Sequence, residues 1–297
     1  MDRRADPTEH LPNSYVSRRS TEAQAFSAWK EPTGVLRELT DEAAARAATL
    51  RSSMDALRRQ AEAAPGQPGF AAALKRENVS VISEVKRSSP SKGVINAGID
   101  VAAQVADYTR GGAAAVSILT EGTRFGGSND DLLKARRATP LPLLKKDFHV
   151  DEVQILEAKV LGASAALVIV RAVSPETLRQ LIALANDIAL ETLVEIRTEQ
   201  ELDLALSCGA TVIGVNNRNL ETLEIDPQNS LRLIPSIPKD VVAIGESGVK
   251  SADDVRRLAE AGADAVLVGS ELSAAGDPAA AVRSLTGIRR SGGARKG

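Results

Sequence analysis

The sequence predicts an α/β fold, a (β/α)8 barrel with extra N-terminal helices, on three observations. From about residue 80 onward, eight short β-branched runs alternate with Ala/Leu-rich helical patterns. Gly-Ala pairs recur between a helical stretch and the next run, in "GGAAAV", "LGASAALV", "CGATVIGV" and "AGADAVLV", where a helix C-terminus calls for glycine. No Gly-rich dinucleotide loop follows the first strand, as an open doubly wound sheet would favour. Eight βα units within 297 residues fit a closed barrel.

Ahead of the first strand, residues 36–75 read as one or two extra helices, with "APGQPG" as a breaker. Residues 1–35 are polar and lack firm periodicity, so they read as a flexible arm that Phe26 and Trp29 would pin to the barrel, and residues 36–297 as one barrel domain. The strands are expected at 80–85, 114–118, 142–146, 165–170, 191–195, 211–215, 241–244 and 264–268. Helices are expected at 101–111, 128–138, 151–161, 174–189, 198–208, 251–261 and 278–287.

Composition narrows the function. The balance of 37 Lys+Arg against 39 Asp+Glu gives a formal net charge of −2, without the basic field of a nucleic-acid binder. No apolar run approaches the ~20 residues of a membrane span, so a cytoplasmic protein with neither nucleic-acid nor membrane partner is expected. The single cysteine, Cys208 in "LSCGAT", excludes an internal disulfide and reads as a core residue. Histidine occurs only at His10 and His149, and no carboxylates have metal-ligand spacing on one element, so no metal is expected.

In this fold the active site forms where the strands end at their C-termini. Those ends carry Glu84 and Lys86 on the first strand, Lys146 on the third, Glu195 on the fifth, Asn216 and Arg218 on the sixth, Glu246 and Ser247 on the seventh, and Gly269 and Ser270 on the eighth, while Gly and Ala dominate the opposite ends. Period-two alternation puts Ile82, Glu84 and Lys86 on one face, so a carboxylate and an ammonium share it. Crowded Lys and Glu suit acid–base chemistry, with lysines moved down and glutamates up toward neutrality. Lys146 and Lys86 are candidate acids, and Glu84 and Glu195 candidate bases. The "GESGV" and "GSELS" loops place small residues where backbone N–H groups meet an anion. Phe125 and Phe148, two of four phenylalanines, fall on loops expected to be exposed, which suggests a planar ligand.

"VISEVKRSSPSKG", "SILTEGTRFGGS", "PLLKKDFHVDEVQILEAKVLGASAALVIV", "IGVNNRNLETLEID", "AIGESGVKSADDV" and "DAVLVGSEL" together resemble the indole-3-glycerol phosphate synthase family over residues 40–288. The resemblance implies a cofactor-free ring closure, decarboxylation and dehydration of 1-(2-carboxyphenylamino)-1-deoxyribulose 5-phosphate. It makes Lys146 the general acid of ring closure and leaves the dehydration acid and base among Lys86, Glu84 and Glu195. Asn216, Arg218, Glu246 and Ser247 would orient the substrate, Ser89, Gly248, Gly269 and Ser270 would lie at the phosphate, and Phe125 and Phe148 beside the aromatic ring. The partner is then a phosphorylated small molecule, and the protein a monomer or weak homodimer. The alternatives are another phosphate-binding barrel, such as phosphoribosylanthranilate isomerase, or a non-catalytic metabolite-binding barrel. The isomerase would use a strand-end cysteine, and Cys208 lies on the wrong element.

Overall fold

The computed structural model describes residues 29–291 and Arg295. His10, Phe26 and the rest of the arm to residue 28 lie outside the described residues. Eight parallel strands close into a barrel: β1 (Ser80–Val85), β2 (Ala115–Leu119), β3 (Leu143–Lys146), β4 (Ala165–Ile169), β5 (Glu191–Ile196), β6 (Val212–Asn216), β7 (Val242–Glu246) and β8 (Ala265–Val268). Each strand pairs with its sequence neighbours, and β1 closes on β8 through Ser80↔Ala265 to Ser83↔Val268. Covered by helices on one face and by one another's side chains on the other, the strands are buried almost throughout, as parallel strands require. A two-stranded hairpin, Ser88–Ser89 with Gly93–Val94, stands on the loop after β1.

Three helices precede the barrel: α1 (Gly34–Leu50), α2 (Met54–Ala63) and α3 (Phe70–Leu74). The first begins at Gly34 rather than 36. The barrel helices are α4 (Val101–Gly111), α5 (Asn129–Ala138), α6 (Glu152–Val160), α7 (Pro175–Asp187), α8 (Glu199–Ser207), α9 (Asn229–Leu233), α10 (Ala252–Ala261), α11 (Ser270–Ser273) and α12 (Pro278–Arg283). Short polar side chains start them. Asp100 accepts from the Ala102 and Ala103 amides, Ser174 and Asp277 each stand before a proline, and Asp151 and Ser251 form capping boxes with Gln154 and Asp254. Gly112 and Gly262 end α4 and α10 at φ 95° and 99°, a left-handed conformation that costs glycine least. The short α9 had no counterpart in the sequence expectation, because five residues ending against Pro235 show too little periodicity.

The expectation of a charge-poor opposite rim is wrong at two points. Glu191 opens β5 and accepts from the amides of Phe70 and Ala71 (2.6 and 2.7 Å), capping α3. Asp264, just before β8, takes the Ala243 amide (2.8 Å) together with Arg290 and Arg295. Both are structural, since each satisfies backbone donors exposed at a strand or helix end. Cys208 is the C-cap of α8 and only half-buried against the core. Where the described chain starts, Arg171 donates to the carbonyls of Lys30 and Glu31, and Thr33 donates through N and Oγ1 to Glu221 (2.8 Å each). That segment is thus held to the loops after β4 and β6 by polar contacts. Among the described residues no helix is long and apolar enough to cross a membrane.

Candidate active site

A cavity of about 200 Å³ opens at the C-terminal ends of the strands. Glu84, Lys86, Lys146, Glu195, Asn216 and Glu246 form its polar floor, and Leu119, Leu167, Ile169 and Leu267 its apolar walls. Alternation explains the placement: Lys146 faces the interior while its neighbour Lys145 points outward to Glu157 on α6, 3.6 Å away. Asn216 and Glu246 are the last residues of β6 and β7 rather than loop residues beyond them, because the ladder continues through the pair Asn216↔Glu246. The end of β1 is pinned where its side chain matters, with Ser273 Oγ and Tyr108 OH both donating to the Glu84 carbonyl (3.0 and 3.2 Å).

Lys146 Nζ is the hub. It lies 3.3 Å from Glu246 Oε2, 3.6 Å from Glu195 Oε2 and 4.0 Å from Glu84 Oε2. Glu84 also pairs with Lys86 at 2.8 Å and accepts from Ser117 Oγ at 3.3 Å. Asn216 Nδ2 donates to Glu195 Oε1 (2.8 Å), and Asn216 Oδ1 accepts from the Arg218 amide (2.9 Å), which orients the Glu195 carboxyl. Two glycines make room for these charges. A Cβ on Gly214 would sit 1.9 Å from Glu246 Oε1, and one on Gly269 would sit 2.3 Å from Glu84 Oε1.

The electrostatics reverse part of the sequence expectation. Burial alone would lower the Lys146 ammonium, but Glu246, Glu195 and Glu84 raise it well above the ordinary lysine value. Burial would likewise raise Glu84, yet Lys86 and Lys146 hold it below the usual carboxylate range. The group pushed toward neutrality is Glu246: burial raises it to about 7, with Glu195 and Glu84 adding to the effect and Lys146 opposing it. Three carboxylates converging on one ammonium make the ammonium easy to keep and one carboxylate hard to keep.

A raised Glu246 has a consequence for stability. The native state holds this proton more tightly than the unfolded chain between about pH 4 and about pH 7, so the stability it lends is present at low pH and lost as pH rises through about 7. In thermal unfolding, the melting temperature of Glu246→Gln relative to the unmodified protein is expected to climb between about pH 5 and about pH 8. A difference that stayed constant with pH would contradict this assignment.

Phe148 and Phe125 pack against each other beside the cavity, with ring centroids 6.3 Å apart and tilted by 41°. Phe148 is buried and Phe125 half-buried, not exposed as the loops suggested, because each ring covers the other. Glu121 sets the Phe125 turn, accepting from the amides of Thr123, Arg124 and Phe125 (2.8, 2.7 and 3.0 Å). Behind Phe148, buried Asp147 accepts from Arg46 of α1 (2.7 Å), Thr120 (2.6 Å) and Lys145 (3.1 Å). His149 bonds the Leu167 carbonyl through Nδ1 at 2.6 Å, and burial pushes it down to about 4, so it is neutral near pH 7 and outside the cavity lining.

Every candidate site residue named from the sequence lies in the lining, including Ser89, Arg218, Ser247, Gly248 and Ser270. Ser247 and Gly248 adopt successive left-handed conformations (φ 64° and 90°), which turns the chain sharply beside the cavity. Sequence reasoning missed Leu39 of α1, the Leu220–Ile225 loop, and the charged rim of Lys92, Lys250 and Glu271. The charged rim was readable as polar loop residues, but nothing local marked Leu39. Among the described residues no group of three His, Cys, Asp or Glu side chains is placed to hold a metal ion.

Residues 37–285 match the family model for indole-3-glycerol phosphate synthase. The chain is 48% identical over 235 residues to the indole-3-glycerol phosphate synthase of Streptomyces griseus, covering 79% of this chain and 87% of that one. It is 45% identical over 242 residues to the enzyme of the same name from Mycolicibacterium smegmatis, covering 82% and 88%. The chain belongs to the indole-3-glycerol phosphate synthase family. It is accordingly a carboxy-lyase, and the isomerase and silent-barrel alternatives fall away. Among solved structures it is similar to 3-hexulose-6-phosphate synthase from Salmonella typhimurium (TM-score 0.56, 16% identity, 70% of this chain and 96% of that one). It is also similar to thiamine phosphate pyrophosphorylase from Pyrococcus furiosus (TM-score 0.53, 15% identity, 70% and 93%). At such identities these likenesses speak only to the barrel.

Proposed function

We propose that this member of the family closes the ring of 1-(2-carboxyphenylamino)-1-deoxyribulose 5-phosphate with Lys146 as the general acid. The observation that carries the reading is the Lys146 ammonium held inside the cavity by three carboxylates. Lys146 delivers its proton to the ketone oxygen as the ring carbon attacks the ketone carbon. Its raised proton affinity keeps it loaded until negative charge develops on that oxygen. Loss of CO2 then restores aromaticity and asks little of the protein.

For dehydration, Lys86 supplies the proton to the departing hydroxyl. Glu195 removes the adjacent carbon-bound proton, supported by its oriented carboxyl and by an Oε2 directed to Lys146. Glu84, bonded to Lys86, tunes that acid. Asn216, Arg218, Glu246 and Ser247 orient the sugar chain. Ser89, Gly248, Gly269 and Ser270 receive the phosphate, supported by backbone and hydroxyl donors at the mouth. Phe125 and Phe148 lie beside the anthranilate ring.

We read residues 36–297 as one barrel domain, acting in the cytoplasm as a monomer or weak homodimer without nucleic-acid or membrane partners. The biosynthetic relatives and the near-neutral charge support this. The deciding experiment is conversion of the carboxyphenylamino-deoxyribulose phosphate to a fluorescent indole product by the purified protein, with a metal chelator present. Folded protein without turnover would refute the reading.

A further inference from the structure

The reaction consumes one proton per turnover. Written for the substrate carboxylate, the ketone oxygen takes up one proton as the carbon–carbon bond forms. CO2 leaves without releasing a proton, its bonding pair returning to the ring. The hydroxyl departs as water with a second proton, and a base recovers one from carbon. Two protons enter and one returns, so the site must draw one from solvent, and Lys146 lines the same cavity that the proposed reading gives to the substrate.

A second cavity, of about 190 Å³, adjoins the first behind the ends of β5 and β6. Glu195, Asn216 and Arg218 line both cavities, so Glu195 stands in the wall between them. The far side is formed by Arg171, Arg197, Glu201 and Glu221, all only partly buried, and the space is large enough for several waters. Glu201, at the third position of α8, accepts from the Arg197 amide through Oε2 (2.6 Å), while Oε1 has no hydrogen-bond partner among the described residues. The charged groups around it are Arg171 after β4, Glu195 on β5, Arg197 on its own loop, and Arg218 and Glu221 beyond β6. Burial pushes its carboxyl up, which favours a group that both gains and gives a proton.

We propose that the second cavity is a proton-entry route in which Glu201 relays protons from solvent, through cavity water, to Glu195. This rests on the roles assigned above to Glu195 and Lys146. Glu201 gives its proton to a cavity water, and the proton passes to the Glu195 carboxylate. From there it crosses 3.6 Å to the amine left when Lys146 has protonated the ketone oxygen. Solvent then reprotonates Glu201, and only O–H and N–H bonds change. The high proton affinity of Lys146 drives the transfer inward. Glu201 acts through Glu195 and touches no substrate atom.

Glu201→Gln tests the relay because the amide oxygen can still accept from the Arg197 amide while the titrating proton is gone. Expected are a kcat about tenfold lower, a KM changed by less than about twofold, and a larger solvent deuterium isotope effect. Imidazole buffer is expected to restore kcat as its concentration rises, and Glu201→Asp to fall between the two proteins. Should the glutamine variant fail to fold, the aspartate variant gives the same comparison of buffer and isotope response. An unchanged kcat, or a loss that imidazole does not restore and D2O does not amplify, would overturn the relay and leave Glu201 only the acceptor of the Arg197 amide. Glu195→Gln separates the two readings: if it is inactive while Glu201→Gln is fully active, only the relay fails, and if it is active, the role of Glu195 fails with it.

Discussion

Lys146→Ala is expected to reduce kcat by at least about 10³-fold while leaving KM within about tenfold, since a general acid acts mainly in the transition state. Steady-state indole fluorescence checks the first number and direct substrate binding supports the second. Near-normal turnover would remove Lys146 from its role. The same substitution leaves Glu84, Glu195 and Glu246 buried together, with Lys86 paired to Glu84 as their remaining ammonium. Glu246, already raised to about 7, then binds its proton more tightly still. Because a raised carboxyl lends stability at low pH and loses it as pH rises, the variant is expected to lose more stability relative to the parent at about pH 8 than at about pH 6.

Asp147→Ala is expected to be the most destabilising single change near the site, at about 3–5 kcal/mol. Asp147 satisfies Arg46, Thr120, Lys145 and its neighbouring Phe148 amide, and removing it leaves Lys145, 2% exposed, with Glu157 at 3.6 Å as its remaining carboxylate. For a chain of this size, the loss corresponds to a fall of about 10 °C in melting temperature. Burial would raise the Asp147 carboxyl, but Lys145, His149 and Arg46 hold it well below the ordinary aspartate range. A lowered carboxyl lends stability above its unfolded pKa and loses it as pH falls toward the folded one. The gap between parent and variant should therefore narrow below about pH 4 in acid unfolding. A gap that widened in acid, or a variant as stable as the parent at neutral pH, would show that Lys145 is compensated elsewhere. KM is expected to rise as well, because Asp147 sits between Lys146 and Phe148 and anchors α1 through Arg46.

The barrel was legible because its signals are local. Eight apolar runs, a capping residue before most helices and glycine after several of them need only a few neighbouring residues to act. Strand-end chemistry was legible for the same reason: once the strands are counted, the charged residues at their C-terminal ends can be read off, and period two puts Lys145 and Lys146 on opposite faces. The short α9 was not, since five residues do not establish a helical period. The burial of Phe125 and Phe148 was equally hidden, because it arises from rings on loops after different strands covering one another.

By itself, then, the sequence determined the fold class, the family motifs and the set of charged residues at the strand ends. Only the tertiary structure decided what those charges do to one another. Glu84, Lys146, Glu195 and Glu246 come from four different strands, and the shifted proton affinities of Glu84, Lys146 and Glu246 depend on separations of 3.3 to 4.0 Å that no sequence spacing encodes. Coulomb energy falls with distance and rises with desolvation, so which lysine stays charged and which carboxyl approaches neutrality is settled by barrel closure and burial.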